Sequence, residues 1–184
     1  MTAASAAPRA VDRDTVVQVA AALADREGFA AVSLSAVARE VDRHVTSLYA
    51  HVESLADLRR AVTAFALEEL ADRVWRAVLG KVKGDALLAI AEEYRDYAIA
   101  HPGRTAAMLV DREAHDDELT GLGARLAEPV RATFRSFGLD DRQVVVAHSV
   151  FSATVEGFAG RGNDDFHQAV ALFVAGLESG RWPT

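Results

Sequence analysis

Cysteine is missing from all 184 residues, which excludes disulfides, thiolate-held metals and a cysteine nucleophile. Long apolar runs are missing too. No stretch approaches the roughly 20 residues of a membrane span, and the N-terminus lacks a basic region followed by a solid apolar run. A cytoplasmic location with no membrane partner is therefore expected. Basic residues are in deficit, with 20 Lys and Arg against 27 Asp and Glu and a formal net charge of -7. That balance speaks against indiscriminate polyanion binding. The deficit is uneven: residues 1–60 hold seven Arg against eight Asp and Glu, and the larger acidic excess lies in residues 61–184. Catalytic constellations are lacking as well. There is no phosphate loop, nucleophile elbow or dinucleotide fingerprint. Glu92-Glu93 and Asp116-Asp117-Glu118 are chain neighbours that do not share a helix face. The helically spaced pairs Glu92/Asp96 and Glu113/Asp116 have no histidine at matching spacing to complete a metal site. The chain is thus expected to be no enzyme, with no cofactor and no metal.

What the chain has is apolar periodicity. Hydrophobic residues make up 51% of it, mostly Ala, Val and Leu, and they recur at three- and four-residue steps. Strand patterns, long repeats and low-complexity blocks do not compete. Residues 1–11, rich in Ala and Ser with Pro8, lack this period and read as a disordered tail, with Arg9 as a minor-groove candidate. A first helix starts at an Asp12 N-cap, carries Val16, Ala20, Leu23 and Ala24, and stops at Gly28. Two short helices follow, Ser33 to Val41 and Val45 to Ala50, parted at Asp42-Arg43. A long helix from Ser54 to about Leu79 opens with a Ser54 cap, Asp57 three residues on, and Val52 and Leu58 spaced as a staple. Gly80 and Gly84 bracket a turn before a helix over Ala86 to Ala100, which ends at His101-Pro102-Gly103. Helices at Arg104 to Leu109 and Glu118 to Phe137 come next, the second weakened by Gly121 and Gly123 and threatened with a kink by Pro129. Leu139, Asp140, Gln143 and Val144 open a helix to about Ala159. After the Gly160-Arg161-Gly162-Asn163 turn, the last runs from Asp165 to Ser179 and carries Phe166, Val170, Phe173 and Leu177 on one face. The expected architecture is all-α, about nine helices: a three-helix head over 12–53, then a long connecting helix and helical bundle over 54–184.

Two short helices joined by a tight turn and packed on a preceding helix have helix-turn-helix geometry, in which the second helix enters the major groove. The residues that fill it are specific. Val32-Ser33-Leu34-Ser35-Ala36-Val37-Ala38-Arg39-Glu40-Val41, then Thr46-Ser47-Leu48-Tyr49-Ala50-His51-Val52, then Asp57-Leu58, resemble the head of the TetR family of transcriptional regulators. The resemblance implies that Ser33 and Tyr49 bind phosphates, while Ser35, Val45, Thr46 and Ser47 face base edges. Arg43 and His44, at the entrance to the recognition helix, join them as phosphate or base contacts. A plainer role stands beside each: Ser33 caps its helix with or without DNA, and a tyrosine among apolar neighbours often only packs. Leu48 and Val52 are assigned to the core and His51 to the junction with the fourth helix. Three positions depart from the family pattern. Asp42 stands where the turn usually has Gly, Arg43 where a hydrophobic residue follows it, and Leu55 where a phosphate-binding Lys is common; Arg59 and Arg60 are the candidates to compensate.

The C-terminal half resembles the same family more loosely, through Ala147-His148-Ser149, Glu156-Gly157-Phe158, Phe166-His167 and Gly176-Leu177. The resemblance implies a homodimer built on the last two helices. Ser149, Ala153 and Gly157 form a small-residue stripe over which a partner helix packs closely, with Phe166, Val170 and Phe173 as further interface candidates. The alternative is that the stripe packs inside one subunit. The resemblance also implies a small-molecule effector held among the middle helices, with Trp75, Tyr94, Tyr97, Met108, Leu109, Phe134, His148 and Phe151 as candidate contacts or simple core. The function implied is a repressor that binds a double-stranded, pseudo-palindromic operator and is released by the effector. Leu55, Asp42 and the acidic balance keep open a second possibility, a relative that has lost DNA binding and serves as a ligand-binding or protein-interaction module.

Overall fold

Helix starts follow local capping chemistry. In the computed structural model, which describes residues 11–110, 116–160 and 163–180, Asp12 accepts the Thr15 N–H at 2.8 Å and opens α1 (Arg13–Glu27). Gly28 stops it at a φ of 90° with its own N–H on the Ala24 carbonyl. A 3-10 turn (Phe29–Ala31) leads to Ser33, whose Oγ accepts from Ala36 N–H and caps α2 (Leu34–Glu40). Then come α3 (Val45–Leu48), α4 (Leu55–Ala77), α5 (Lys83–Ala100), α6 (Pro102–Val110), α7 (Asp117–Arg135), α8 (Asp141–Ala159) and α9 (Asn163–Glu178). Among the described residues the regular structure is entirely helical, in agreement with the sequence pattern, and no helix is long and apolar enough to cross a membrane. Pro8, Arg9, Glu113, Arg161 and Gly162 lie outside the described residues.

Several boundaries differ from the pattern-based expectation. The third helix ends at Leu48 rather than Ala50, because the chain tightens there into i to i+3 bonds, Ala50 N–H to Ser47 and His51 N–H to Leu48. The fifth starts at Lys83, so Gly84 lies in its first turn instead of bracketing a loop. A Cβ on Gly84 would fall 2.8 Å from Val174 Cγ1 and Glu178 Oε1, so the missing side chain is what lets α9 approach α5. Pro102, expected to end a helix, begins α6 instead, at the position where its missing N–H costs nothing. α7 runs through Pro129 without ending. The proline leaves the Arg125 carbonyl without its partner one turn on, and the Trp75 indole N–H donates to that oxygen at 3.2 Å.

Two apolar cores share α4. The first gathers Val16, Ala20, Leu23 and Ala24 of α1, Val37 of α2, Leu48, Val52, and Leu58 and Val62 of α4, with Ala107 of α6 inserted among them. The second gathers Leu70 and Val74 of α4, Leu87 and Ile90 of α5, Phe134 of α7, Phe151 of α8 and Phe166 and Val170 of α9. Phe134, Phe151 and Phe173 meet at ring-centroid distances of 5.4–6.0 Å and tie α7, α8 and α9 together.

Candidate nucleic-acid interface and internal cavity

The turn between α2 and α3 is a Schellman motif. Arg43 N–H donates to Ala38 O and Asp42 N–H to Arg39 O, with Asp42 at a φ of 53°. Asp is among the residues that tolerate this left-handed conformation, which is how the turn forms without the usual Gly. α3 is then held by one deep anchor: Leu48 is 1% exposed, Val45 is half-buried, and Thr46, Ser47 and Tyr49 point to solvent, Tyr49 at 56%. Arg43, His44 and Ser35 are exposed beside them, and Ser33 is half-buried as the α2 cap. The eight residues assigned to DNA thus lie on two short helices and the turn between them, with six of the side chains outward.

Behind that surface, Asp57 works as a hub. Arg13 of α1 grips its carboxylate with both terminal nitrogens, at 2.8 and 3.0 Å, and also donates to the His51 carbonyl at 2.7 Å. Asp57 accepts the Glu53 N–H, while its own N–H goes to the Ser54 cap. The Arg13 bond holds the Asp57 carboxyl down at about 2. His51 therefore serves the junction through its backbone. Sequence spacing alone would have had Asp57 close a capping box on Ser54; the carboxylate takes the preceding amide instead.

The two arginines offered as substitutes for the missing lysine are committed elsewhere. Arg59 donates to the Ala30 and Val32 carbonyls at 3.1 Å and lies over the Phe29 ring. Arg60 pairs with Asp116 and Glu118 at the start of α7, and this lowers the Asp116 carboxyl to about 2. Neither guanidinium reaches toward the outer face of α3, which corrects the expectation that they compensate for Leu55.

The body encloses a cavity of about 590 Å³ between α4, α5, α6, α7 and α8. Of the expected ligand contacts, Tyr94, Met108, Leu109, His148 and Phe151 line it; Trp75, Tyr97 and Phe134 do not. Trp75 is 40% exposed and spends its N–H on the Arg125 carbonyl. Tyr97 is buried with its hydroxyl on Glu69 and the Ala66 carbonyl, and burial first, then Glu69, pushes its pKa up. Phe134 is core. The walls that sequence reasoning missed come from α4 and α7, Thr63, Leu67, Leu119, Thr120 and Leu126, together with Ser152 and Glu156 of α8. An amphipathic stripe reveals which residues share a face but not that two such faces stand apart and leave a void.

Of the six residues expected at a dimer interface, Ser149, Ala153 and Gly157 are exposed in the single chain, and Ser149 and Ala153 also border the cavity. Phe166 and Val170, at 0% and 1%, belong to the chain's own core, and Phe173 packs in the aromatic triad. Phe166 and Val170 are therefore not on a surface, which corrects the expectation for these two, while Phe173 is half-buried. Outward on α9 are Gln168, Ala171, Leu172 and Ala175.

α6 joins the cavity to the head. Met108 and Leu109 form cavity wall, while Gly103 lies so close to α1 that a Cβ would fall 2.0 Å from the Ala24 carbonyl carbon. Asp25 of α1 fastens the contact: it accepts the Arg104 N–H at 3.0 Å, meets His101 Nδ1 at 3.1 Å and faces Arg104 Nε at 3.0 Å as an ion pair. Arg104 continues to Glu69 of α4 at 2.7 Å.

Comparison with known proteins agrees with this architecture. A family model described as the tetracyclin repressor-like C-terminal domain matches residues 87–161. The HTH-type transcriptional regulator Rv0681 of Mycobacterium tuberculosis is 36% identical over 154 residues, spanning 83% of this chain and 71% of that protein. The fold is similar to that of SCO7222, a TetR regulator of Streptomyces coelicolor, at a TM-score of 0.70 and 19% identity over 94% of this chain and 100% of the other. It is also similar to the Streptomyces coelicolor TetR family protein ActR, solved in complex with (S)-DNPA, at a TM-score of 0.65 and 19% identity over 94% and 99% of the two chains. With a head whose short second helix turns its polar side outward, and a relative this similar across most of its length, the chain belongs to the TetR family of helix-turn-helix transcriptional regulators.

Proposed function

We propose that the chain is a ligand-responsive repressor that binds a pseudo-palindromic operator as a homodimer and leaves it when a small molecule fills the cavity. Residues 12–53 supply the DNA surface in this proposal, and residues 54–184 the effector and partner surfaces; no catalytic role is assigned. The observation that carries it is the double duty of α4 and α6. Each lines the cavity and each inserts side chains into the core of the head. A ligand that moves Met108, Leu67 or Thr63 therefore displaces a helix on which the head is seated. The ligand must prefer one arrangement by about 5.5 kcal/mol to carry the equilibrium from 1:99 to 99:1.

Dimerisation is assigned to the outer faces of α8 and α9, where Ser149, Ala153 and Gly157 recur every four residues beside exposed Val146, Val150 and Leu172. Small residues let a second α8 approach closely. A two-fold axis then sets the two α3 helices toward successive major grooves, with half-sites about 34–36 Å apart or a multiple of that.

A second reading, loss of DNA binding, is favoured by Leu55 together with the inward commitment of Arg59 and Arg60. Retardation of short duplexes from the flanking genomic region separates the two. A shift that disappears on replacing Ser47 and Tyr49 with Ala supports the repressor, and its salt dependence should be shallow because few counterions are released. No shift of any duplex at low salt supports the second reading.

A further inference from the structure

We propose that Arg39, on the outer face of α2, is the principal phosphate-binding cation of the head. This rests on the DNA reading above and adds to it a residue that the reading does not use.

The charge inventory of the head singles this side chain out. Residues 1–60 contain no lysine, so fixed positive charge there comes from arginine alone. Most of the described arginines are spent inside the protein: Arg13 on Asp57 and the His51 carbonyl, Arg26 on Glu40, Arg59 on the Ala30 and Val32 carbonyls, and Arg60 on Asp116 and Glu118. Arg43 places one terminal nitrogen on the carbonyl of its neighbour Asp42 at 2.9 Å. Arg39 is exposed and, among the described residues, makes no hydrogen bond or ion pair.

Position adds to this. Burial of Ala36, Val37 and Ala38 fixes the rotation of α2 about its axis. Ser35 and Arg39, one helical turn apart, then share the outward face, while the next residue, Glu40, pairs back to Arg26 of α1 at 2.8 Å. The Arg39 carbonyl accepts the Asp42 N–H at 3.2 Å, so its backbone belongs to the turn that launches α3 and is fixed relative to the outward Thr46, Ser47 and Tyr49. In a helix-turn-helix the first helix crosses the DNA backbone while the second enters the groove. A guanidinium on that outer face meets phosphate oxygens, which it grips with two parallel N–H donors.

The neighbours of Arg39 do not duplicate its charge. Ser35, Thr46, Ser47 and Tyr49 are neutral donors that orient the protein without displacing counterions. The exposed Asp42 carboxylate opposes a phosphate, and Arg39 and Arg43 flank it in the chain. With these two cations on each head of a dimer, the slope of log K against log salt should be about -3.6, at about 0.9 for each neutralised phosphate.

The test measures fluorescence anisotropy of short duplexes from the flanking genomic region with the full chain at pH 8, above the ordinary imidazole range. Between about 50 and 200 mM salt, wild-type affinity is expected to fall about 150-fold and that of Arg39→Gln only about 12-fold. Arg39→Lys keeps the charge but not the fork, and should retain the wild-type slope at a few-fold lower affinity. Arg76→Gln, which removes the same charge from the exposed end of α4, should match the wild type. Urea midpoints run alongside are expected to agree among all four proteins, which separates lost contact from lost fold. A wild-type slope in Arg39→Gln, an equal loss of slope in Arg76→Gln, or a slope that Arg39→Lys does not recover overturns this proposal and leaves the repressor reading standing. Failure of the wild type to bind any duplex even at low salt overturns both.

Discussion

The head and the body are both helical and share α4, yet they spend their apolar residues differently. The head buries small side chains, Ala20, Ala21, Ala24, Ala36 and Ala38, so its helices approach closely and α3 is fixed by a single leucine. The body buries Leu and Phe on the outer walls and leaves a cavity between them. In the proposed function a surface that matches a DNA groove needs a fixed geometry and a site for a ligand needs volume, and the two cores suit those different demands. The difference should be measurable. Leu48→Ala empties a filled site and is expected to cost about 3 kcal/mol in urea unfolding. Leu126→Ala only widens an existing void and should cost under about 1.5 kcal/mol. Equal costs would mean that the two regions are packed alike.

The junction between the regions sharpens the comparison. A Cβ on Gly103 would strike backbone, 2.0 Å from Ala24 C and O and 2.5 Å from Asp25 N, so α6 and α1 must part to admit it. Gly103→Ala is expected to destabilise by about 2–3 kcal/mol and to loosen the coupling between cavity and head. Gly84→Ala, inside the body, meets side-chain atoms of Val174 and Glu178 rather than backbone, and should cost less, about 1–2 kcal/mol. Chemical denaturation of the two variants gives the contrast directly, and a costlier Gly84→Ala would remove the claim that the head–body contact is the tighter one.

The same contrast governs what was legible in the amino-acid pattern. The caps at Asp12, Ser33, Ser54 and Asp140 lie within three residues of the groups they bind, and each forms as the local pattern dictates. Long-range partners leave no such mark. Arg60 meets Asp116 across 56 positions and Arg104 meets Asp25 across 79, so the diversion of Arg60 from the proposed DNA side was invisible. Phe166 and Val170 share an apolar face as expected, but periodicity does not say whether that face meets a partner or the chain itself; the chain's own α5 and α8 cover it.

The hub at Asp57 gives the head a pH dependence. Its carboxyl lies at about 2, below the ordinary aspartate value of 3.8, chiefly through the Arg13 bond. A lowered carboxylate stabilises the fold fully above its unfolded pKa, and that contribution fades as pH falls toward 2. Asp57→Asn should therefore cost about 1.5 kcal/mol near neutrality, discounted for the exposure of Arg13, and progressively less below pH 4. Urea midpoints of both proteins between pH 6 and pH 2.5 follow the convergence. Parallel curves over that range would show that Asp57 carries no such role.

The smallest expected effect concerns a defect that one helix of the body repairs for another. Pro129 has no N–H to give to the Arg125 carbonyl, and Trp75 supplies one from α4. Trp75→Phe keeps most of the ring and removes the donor, so it should cost about 1 kcal/mol. In the Pro129→Ala background the helix regains its own N–H at that position, Trp75 becomes redundant as a donor, and the same substitution should cost only the packing difference between the rings. A double-mutant cycle isolates the coupling, expected at about 1 kcal/mol and of the sign that makes the second change cheaper after the first. If Trp75→Phe costs the same in both backgrounds, the indole serves packing alone, and α7 tolerates its proline by bending or by hydration of Arg125 rather than through α4.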